Sequence, residues 1–304
     1  MFPSMSDMSR RGLAVPDAEV HVPRMLVLLD GIAFGGSPRW HEGRLWFADC
    51  ADGAIFAVAP SGASEVMVRV PSAPLCFDFL PDGSLLVVAG GDKHVLHVGA
   101  KGTKELYADL GGLCDRPWGE IAVDSRGNAY VDNIGMDVPD GDSASGLIAV
   151  ITPNGDARQV ADGLSFPSGM ALARDDKTLI VAEPYASRLT AFDVAGDGCL
   201  ADRRVWARLD GAAPDGICVD AQEAVWFADA AAHTCVRVKQ GGHVLQTVAV
   251  DRGAFACVLG GPDGHTLFIM ATAWAGGAST EREKRAGQVQ AVQVDVAAVG
   301  SPNG

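Results

Sequence analysis

Short strand-like apolar runs recur along this chain, each following a turn rich in Gly and Asp. Residues 45–48, 85–88, 129–131, 179–182, 225–228 and 267–270 form six such runs, centred on Phe47, Val87, Val131, Val181, Phe227 and Ile269. The centres lie roughly 40 to 50 residues apart, the period of one four-stranded propeller blade. Six periods fill the chain, so the pattern predicts an all-β, six-bladed β-propeller.

Each period carries a second apolar segment ahead of the first: residues 38–40, 76–80, 120–123, 169–172, 216–219 and 256–259. These are the expected innermost strands. A third segment follows in most periods, at 55–58, 95–98, 147–150, 189–192 and 236–238, often leading into a turn such as Pro153-Asn154-Gly155. Three strands per period are visible, and a shorter outer one completes the blade. An open sheet edge would remain unless the last blade borrowed a strand from the other terminus. Residues 20–29 and 288–296 are the candidates for that closure. A β-sandwich pair is the competing reading, but sandwiches place turns every 8–12 residues or so and lack this longer period.

The chain has 304 residues and is 48% hydrophobic, enough for a large core, and the unbroken repeat argues for one domain over 20–297. Residues 1–19 and 298–304 read as tails. A net charge of −14 and a pI near 4.8 disfavour nucleic acid and acidic membranes as partners, leaving a small-molecule substrate. The seven cysteines are scattered and form no C-x-x-C pair, which fits reduced thiols. No stretch has the length of a signal-peptide core or a membrane span, so the expected location is cytoplasmic. Oligomeric state is not written in any pattern here.

Four segments carry a family resemblance. Phe34-Gly35-Gly36-Ser37-Pro38-Arg39-Trp40-His41, Arg116-Pro117-Trp118-Gly119-Glu120-Ile121, Gly163-Leu164-Ser165-Phe166-Pro167-Ser168-Gly169-Met170 and Ala213-Pro214-Asp215-Gly216-Ile217-Cys218 resemble the SMP-30/gluconolactonase/LRE family in order and spacing, over about residues 30–274. The resemblance implies a six-bladed propeller whose typical members are lactonases or related hydrolases with one divalent cation on the axis. It also exposes departures. Where the family usually has Glu, Asn and Asn, this chain has Gly36, Gly119 and Ser168, and it retains only Asp215. Calcium takes six or more oxygens and zinc about four ligands, so the expected cofactor is none, or a weakly bound Ca, Zn or Mg ion with Asp215 as its one retained ligand.

Asp215 opens an inner strand behind Pro214 and is the expected catalytic group. A carboxylate partly desolvated and without a cation should have a raised pKa, the condition for a general base or acid. The competing role is a structural Asp capping the turn before Gly216. Gly36 and Gly119 remove side-chain volume and leave room for a bulkier ligand, with Ser168, Arg116 and Asn133 as orienting groups. Trp118 could form an aromatic wall or simply pack, and Cys76 and Cys257 would line the pocket as inert thiols. Glu120 and Gly119 should face opposite sides of their strand unless it is bulged. Asp132, Asn133, Asp137 and Tyr185 are expected on loops after their strands, as substrate contacts. His41 is expected in a solvated turn, and His233 in a loop. Asp140-Gly141-Asp142 lacks the later ligand of a calcium loop and reads as a turn.

The functional expectation is a lactonase-like hydrolase of a small lactone or related cyclic ester in an axial pocket. Two alternatives stay open: a metal-independent lyase or isomerase acting on a bulkier, aromatic substrate, and a non-catalytic small-molecule binder.

Overall fold

A computed structural model describes residues 24–99, 102–135, 145–173, 175–273 and 284–299. The tail expected over 1–19, together with Asp137 and Asp140-Gly141-Asp142, lies outside the described residues. Among the described residues twenty-four strands form six four-stranded antiparallel sheets, a six-bladed β-propeller. After β1 (Leu26–Ile32), blade one is β2 (Gly35–His41), β3 (Arg44–Asp49), β4 (Ala54–Val58) and β5 (Ser64–Arg69). Blade two is β6 (Leu75–Phe79), β7 (Leu85–Ala89), β8 (His94–Val98) and β9 (Lys104–Asp109). Blade three is β10 (Trp118–Val123), β11 (Ala129–Asn133), β12 (Gly146–Ile151) and β13 (Ala157–Leu164). Blade four is β14 (Met170–Leu172), β15 (Thr178–Glu183), β16 (Arg188–Val194) and β17 (Leu200–Arg208). Blade five is β18 (Ile217–Val219), β19 (Val225–Asp229), β20 (Thr234–Val238) and β21 (Val244–Ala249). Blade six is β22 (Gly253–Gly260), β23 (Thr266–Thr272) and β24 (Gly287–Gln293), and its outer strand is β1, paired antiparallel from Leu26↔Ala291 to Ile32↔Gly287.

The unbroken apolar runs are the second strands because these are covered on both faces: every residue of β7, β11 and β19 is buried. Outer strands lie half in water, and most residues of β5 and β9 are exposed. They are not shorter than the others, since β17 runs for nine residues. Their charged, exposed positions break up any apolar run that would mark them in the sequence.

Local turn chemistry makes the inner hairpins. Asp124 Oδ1 accepts the amides of Arg126 (3.0 Å) and Asn128 (2.8 Å), and Asp220 Oδ1 those of Gln222 (2.8 Å) and Ala224 (3.1 Å). Gly127 at φ 83° supplies the left-handed position that closes the first of these turns.

The core is six wedges rather than one centre. Six clusters of buried side chains each join two adjacent blades, including the last with the first. Neighbouring blades also pack closely at their inner strands: a side chain at Gly216, just before β18, would come within 2.6 Å of Ala256 Cβ in β22.

Candidate functional site

A repeated polar clamp holds the loops that enter the inner strands. The last residue of the second strand reaches back to the incoming loop of its own blade. Asp49 accepts the amides of Ala33 (2.8 Å) and Phe34 (3.0 Å), Glu183 that of Ser165 (2.7 Å), and Asp229 that of Ala213 (3.1 Å). Asn133 does the same work with opposite polarity, donating Nδ2 to the carbonyls of Arg116 (3.0 Å) and Pro117 (2.8 Å) while Oδ1 accepts the Gly135 amide (3.0 Å). Two or three residues beyond each clamped segment stand Gly36, Ser168, Asp215 and Gly119.

Ser168 and Asp215 meet across blades four and five, the serine hydroxyl donating to Asp215 Oδ1. Backbone bonds fix both, from Ser168 N to Ala182 O (3.1 Å) and from Asp215 N to Ala228 O (2.9 Å). Burial pushes the Asp215 carboxyl up to about 6; the Ser168 hydroxyl opposes this, and the negative charges of Glu120 and Asp229 add to it. Asp215 borders a cleft of ≈ 40 Å³ lined otherwise by Phe166, Pro184, Tyr185, Ala213, Ala230 and Ala231. Phe166, held at φ 58°, stacks on Tyr185 with ring centroids 4.7 Å apart. Asp215 is the one acid in an otherwise apolar and aromatic wall.

Toward blades one to three the channel is strongly polar. Arg39 Nε lies 3.1 Å from Asp78 Oδ1, and its Nη2 donates to Glu120 Oε1 (3.0 Å) and to Ile121 O (2.6 Å). Ser37 Oγ donates to the same Glu120 oxygen at 2.8 Å. Glu120 can face this network because β10 is bulged: Trp118 pairs with Asn133 and Ile121 with Val131, so Gly119 and Glu120 together oppose Asp132. Asp132 Oδ1 accepts the Glu120 amide at 3.0 Å and occupies the space that a Cβ at Gly119 would enter.

Several expected site residues take other roles. Trp118 is no aromatic wall; it is fully buried in the wedge between blades two and three. Asn133 ends β11 rather than sitting in a following loop, and its amide is wholly committed to backbone groups, so it fixes the 116–117 loop and cannot orient a substrate. Asp132 is likewise a strand residue. Cys257 is 2% exposed in the wedge between blades five and six, with Sγ directed at Gly216 O (3.7 Å), and does not line the channel. His41 is not in a solvated turn but buried at the end of β2, stacked on Phe79 at 3.7 Å. His233 is an exposed turn residue.

Tyr185 borders the cleft, and Arg116 sits partly buried on the loop entering β10. Gly36 is less confined than Gly119, since a side chain there would meet only Cys50 Sγ at 3.4 Å. Cys76 is partly buried, and burial followed by the Glu120 charge holds its thiol well above the ordinary range. Phe166, Ala213, Ala230 and Ala231 escaped sequence reasoning, because alanines in loops carry no chemical signal. Phe166 had one: its place two residues before Ser168 in the motif.

The residues at the axial positions do not fit a divalent cation. Gly36 offers no side-chain oxygen, the space at Gly119 is filled by Asp132, and the Ser168 hydroxyl is directed to Asp215. Among the described residues no group of three His, Cys, Asp or Glu side chains is arranged to hold a metal ion. Also among them, no helix is long and apolar enough to cross a membrane.

Fold and site together define a six-bladed propeller with an acidic group where blades four and five meet, beside a small apolar cleft. Residues 34–273 match the family described as SMP-30/Gluconolactonase/LRE-like region, and the chain belongs to that family. It is 22% identical over 253 residues to regucalcin of Xenopus laevis, covering 80% of this chain and 84% of that protein. Its fold is similar to that of luciferin-regenerating enzyme (TM-score 0.78, 17% identity, 91% of this chain and 97% of the other). It is similar also to a gluconolactonase of Xanthomonas campestris (TM-score 0.72, 21% identity, 97% and 94%).

Proposed function

We propose that this protein is a lactonase-type hydrolase that opens a small cyclic ester at the axial mouth without depending on a cation. The observation that carries the reading is the Ser168–Asp215 pair, a carboxyl with a pKa of about 6 held by two blades beside a cleft. A general base works best when its pKa lies near the operating pH, and burial raises this carboxyl toward neutrality. Family membership and the similarity to a gluconolactonase support the reaction class.

In the proposed reaction ionised Asp215 takes a proton from a water molecule as its oxygen adds to the ring carbonyl. The ring C–O bond then breaks, and the departing alkoxide takes the proton back from Asp215, leaving a hydroxy acid. Ser168 holds the carboxylate in orientation, and the apolar wall receives the carbon skeleton of the substrate.

A second reading is favoured by that wall. Phe166, Tyr185 and three alanines suit an apolar or aromatic substrate better than a polyhydroxylated one, and on such a substrate Asp215 could shuttle a proton in a lyase or isomerase reaction.

Turnover of unsubstituted and aryl-substituted γ- and δ-lactones, measured with and without EDTA on protein of known metal content, tests the proposal. EDTA-resistant hydrolysis that Asp215→Asn abolishes is the expected result. Hydrolysis that stops with EDTA and returns with a stoichiometric cation would overturn the cation-independent part. Ligand binding without turnover, unchanged in Asp215→Asn, would leave a binding protein.

A further inference from the structure

Phe166 is a bulky apolar residue in a backbone conformation that bulky residues avoid. Its φ of 58° lies in the left-handed region, although a residue ahead of a proline is normally extended. Phe34, Pro117 and Ala213 hold the same place in blades one, three and five, two residues ahead of Gly36, Gly119 and Asp215, and none of them is left-handed. The ring of Phe166 is partly exposed and does no packing in the core: neither it nor Tyr185 belongs to any of the six wedges. Backbone strain that the core does not explain collects at ligand sites.

One carboxylate frames both rings. Glu183, the last residue of β15, accepts the Ser165 amide at 2.7 Å just ahead of Phe166, and its own successors Pro184–Ala186 form the short 3₁₀ turn that carries Tyr185. Arg188 locks Glu183 in turn, donating Nε and Nη2 to its two oxygens at 2.8 Å each. The rings so placed stack with centroids 4.7 Å apart and planes 19° apart. They form a rigid, flat wall.

The cleft beside Asp215 has two unlike sides. Blade four supplies Phe166, Pro184 and Tyr185, whereas blade five supplies Ala213, Ala230, Ala231 and the carboxyl itself. A ligand there meets ring surface from one blade and methyl groups from the other. Such a slot takes a flat apolar group more readily than a puckered, hydroxyl-bearing one, whose hydroxyls would lack partners.

We propose that Phe166 is a specificity-determining residue of this site: its ring, backed by Tyr185, stacks on the flat face of a cyclic ester fused to an aromatic ring. The inference rests on the lactonase reading for the ester group, and on the aromatic wall alone for the fused ring. The left-handed backbone is what turns the ring of Phe166 out of the core and into the cleft. The same four-residue segment carries Ser168, so the ester of a stacked substrate is delivered beside Asp215.

Phthalide and γ-butyrolactone share a five-membered ester and differ by the fused benzene ring. Glycine adopts a positive φ freely, so Phe166→Gly removes the ring and keeps the backbone. The ratio of kcat/KM for phthalide to that for γ-butyrolactone should fall in Phe166→Gly by about 2- to 12-fold, the worth of one aromatic pair. Phe166→Tyr should keep the native ratio. Tyr185→Leu, at an ordinary backbone position, should lower it as well. An unchanged ratio in Phe166→Gly or in Tyr185→Leu would overturn the proposal, as would equal losses on both lactones.

Two further measurements separate this role from folding and from the hydrolase reading. Phe166→Ala must carry a Cβ at positive φ and should unfold at lower urea than Phe166→Gly; the reverse order would overturn the left-handed placement. Should the native protein hydrolyse no lactone, the probe is isoindolinone, the unreactive lactam of phthalide, titrated beside 2-pyrrolidinone. Tighter binding of isoindolinone, weakened by the same factor in Phe166→Gly, supports the stacking role without the hydrolase reading. Equal binding of the two lactams, or binding indifferent to Phe166→Gly, overturns it.

Discussion

Asp229, the last residue of β19, accepts the Ala213 amide at 3.1 Å, two residues ahead of Asp215. Its other oxygen accepts the amides of Ala231 (3.1 Å) and Ala232 (3.0 Å). One buried carboxylate therefore ties together the two blade-five loops that border the cleft. Asp229→Ala leaves these amides without their acceptor, and an unsatisfied buried donor costs about 1–3 kcal/mol. Loss of roughly 2 kcal/mol of stability is expected in urea unfolding, with a fall in turnover as Asp215 loses its fixed position. Asp229→Asn, which keeps one acceptor oxygen, should lie between.

Asp215 sets two pH-dependent quantities. Its folded-state pKa of about 6 lies above the ordinary 3.8, so the stability it contributes is present at low pH and is lost as pH rises through that window. Asp215→Asn should therefore be more stable than the native chain at pH 7, by about 1–3 kcal/mol, while losing on the order of 10²–10⁴ in turnover. The acid limb of kcat/KM should fall near pH 6. Glu120→Gln removes a negative neighbour and should move that limb lower. A shift upward would contradict the assignment of Asp215 as the base.

His41 gives a second pH window, in stability alone. Burial against Phe79 lowers its pKa from 6.5, so the unfolded chain binds the proton more readily than the folded one. Its contribution is present above pH 6.5 and disappears as pH falls below it. Unfolding midpoints of His41→Phe, measured between pH 7.5 and pH 5, should vary less with pH than those of the native protein.

The cleft beside Asp215 is small, and Ala230 and Ala231 set one of its walls. Ala230→Leu should fill it and discriminate by size. The ratio of kcat/KM for an alkyl-substituted lactone to that for the unsubstituted ring should fall by at least roughly 10- to 200-fold, the range expected of one methylene too many in an apolar pocket. Equal loss for both substrates would move the substrate skeleton to another part of the channel.

What could be read from the chain and what could not divides along physical lines. The second strands were legible because burial on both faces demands an unbroken apolar run, as in residues 225–228. The outer strands were obscured because one face meets water, as in β9. The clamp residue Asn133 looked like a loop-borne contact until its amide was seen to hold two carbonyls sixteen and seventeen residues away. The strand pattern left Trp118 open as an aromatic wall or a packing residue, and the neighbouring blade covers it completely.

By itself the sequence determined the number of blades, the order of the three inner strands in each, the turns that lead into the second strands, and membership in a propeller family. These rest on period, burial pattern and turn chemistry, all properties of contiguous segments. Tertiary structure alone decided which polar groups meet: Ser168 with Asp215 across 47 residues, Ser37 and Arg39 with Glu120 across more than 80, and Asp132 in the space left by Gly119. Those meetings depend on register breaks in β2, between Gly36 and Arg39, and in β10, and on how closely neighbouring blades approach, and none of these leaves a periodic trace in the chain.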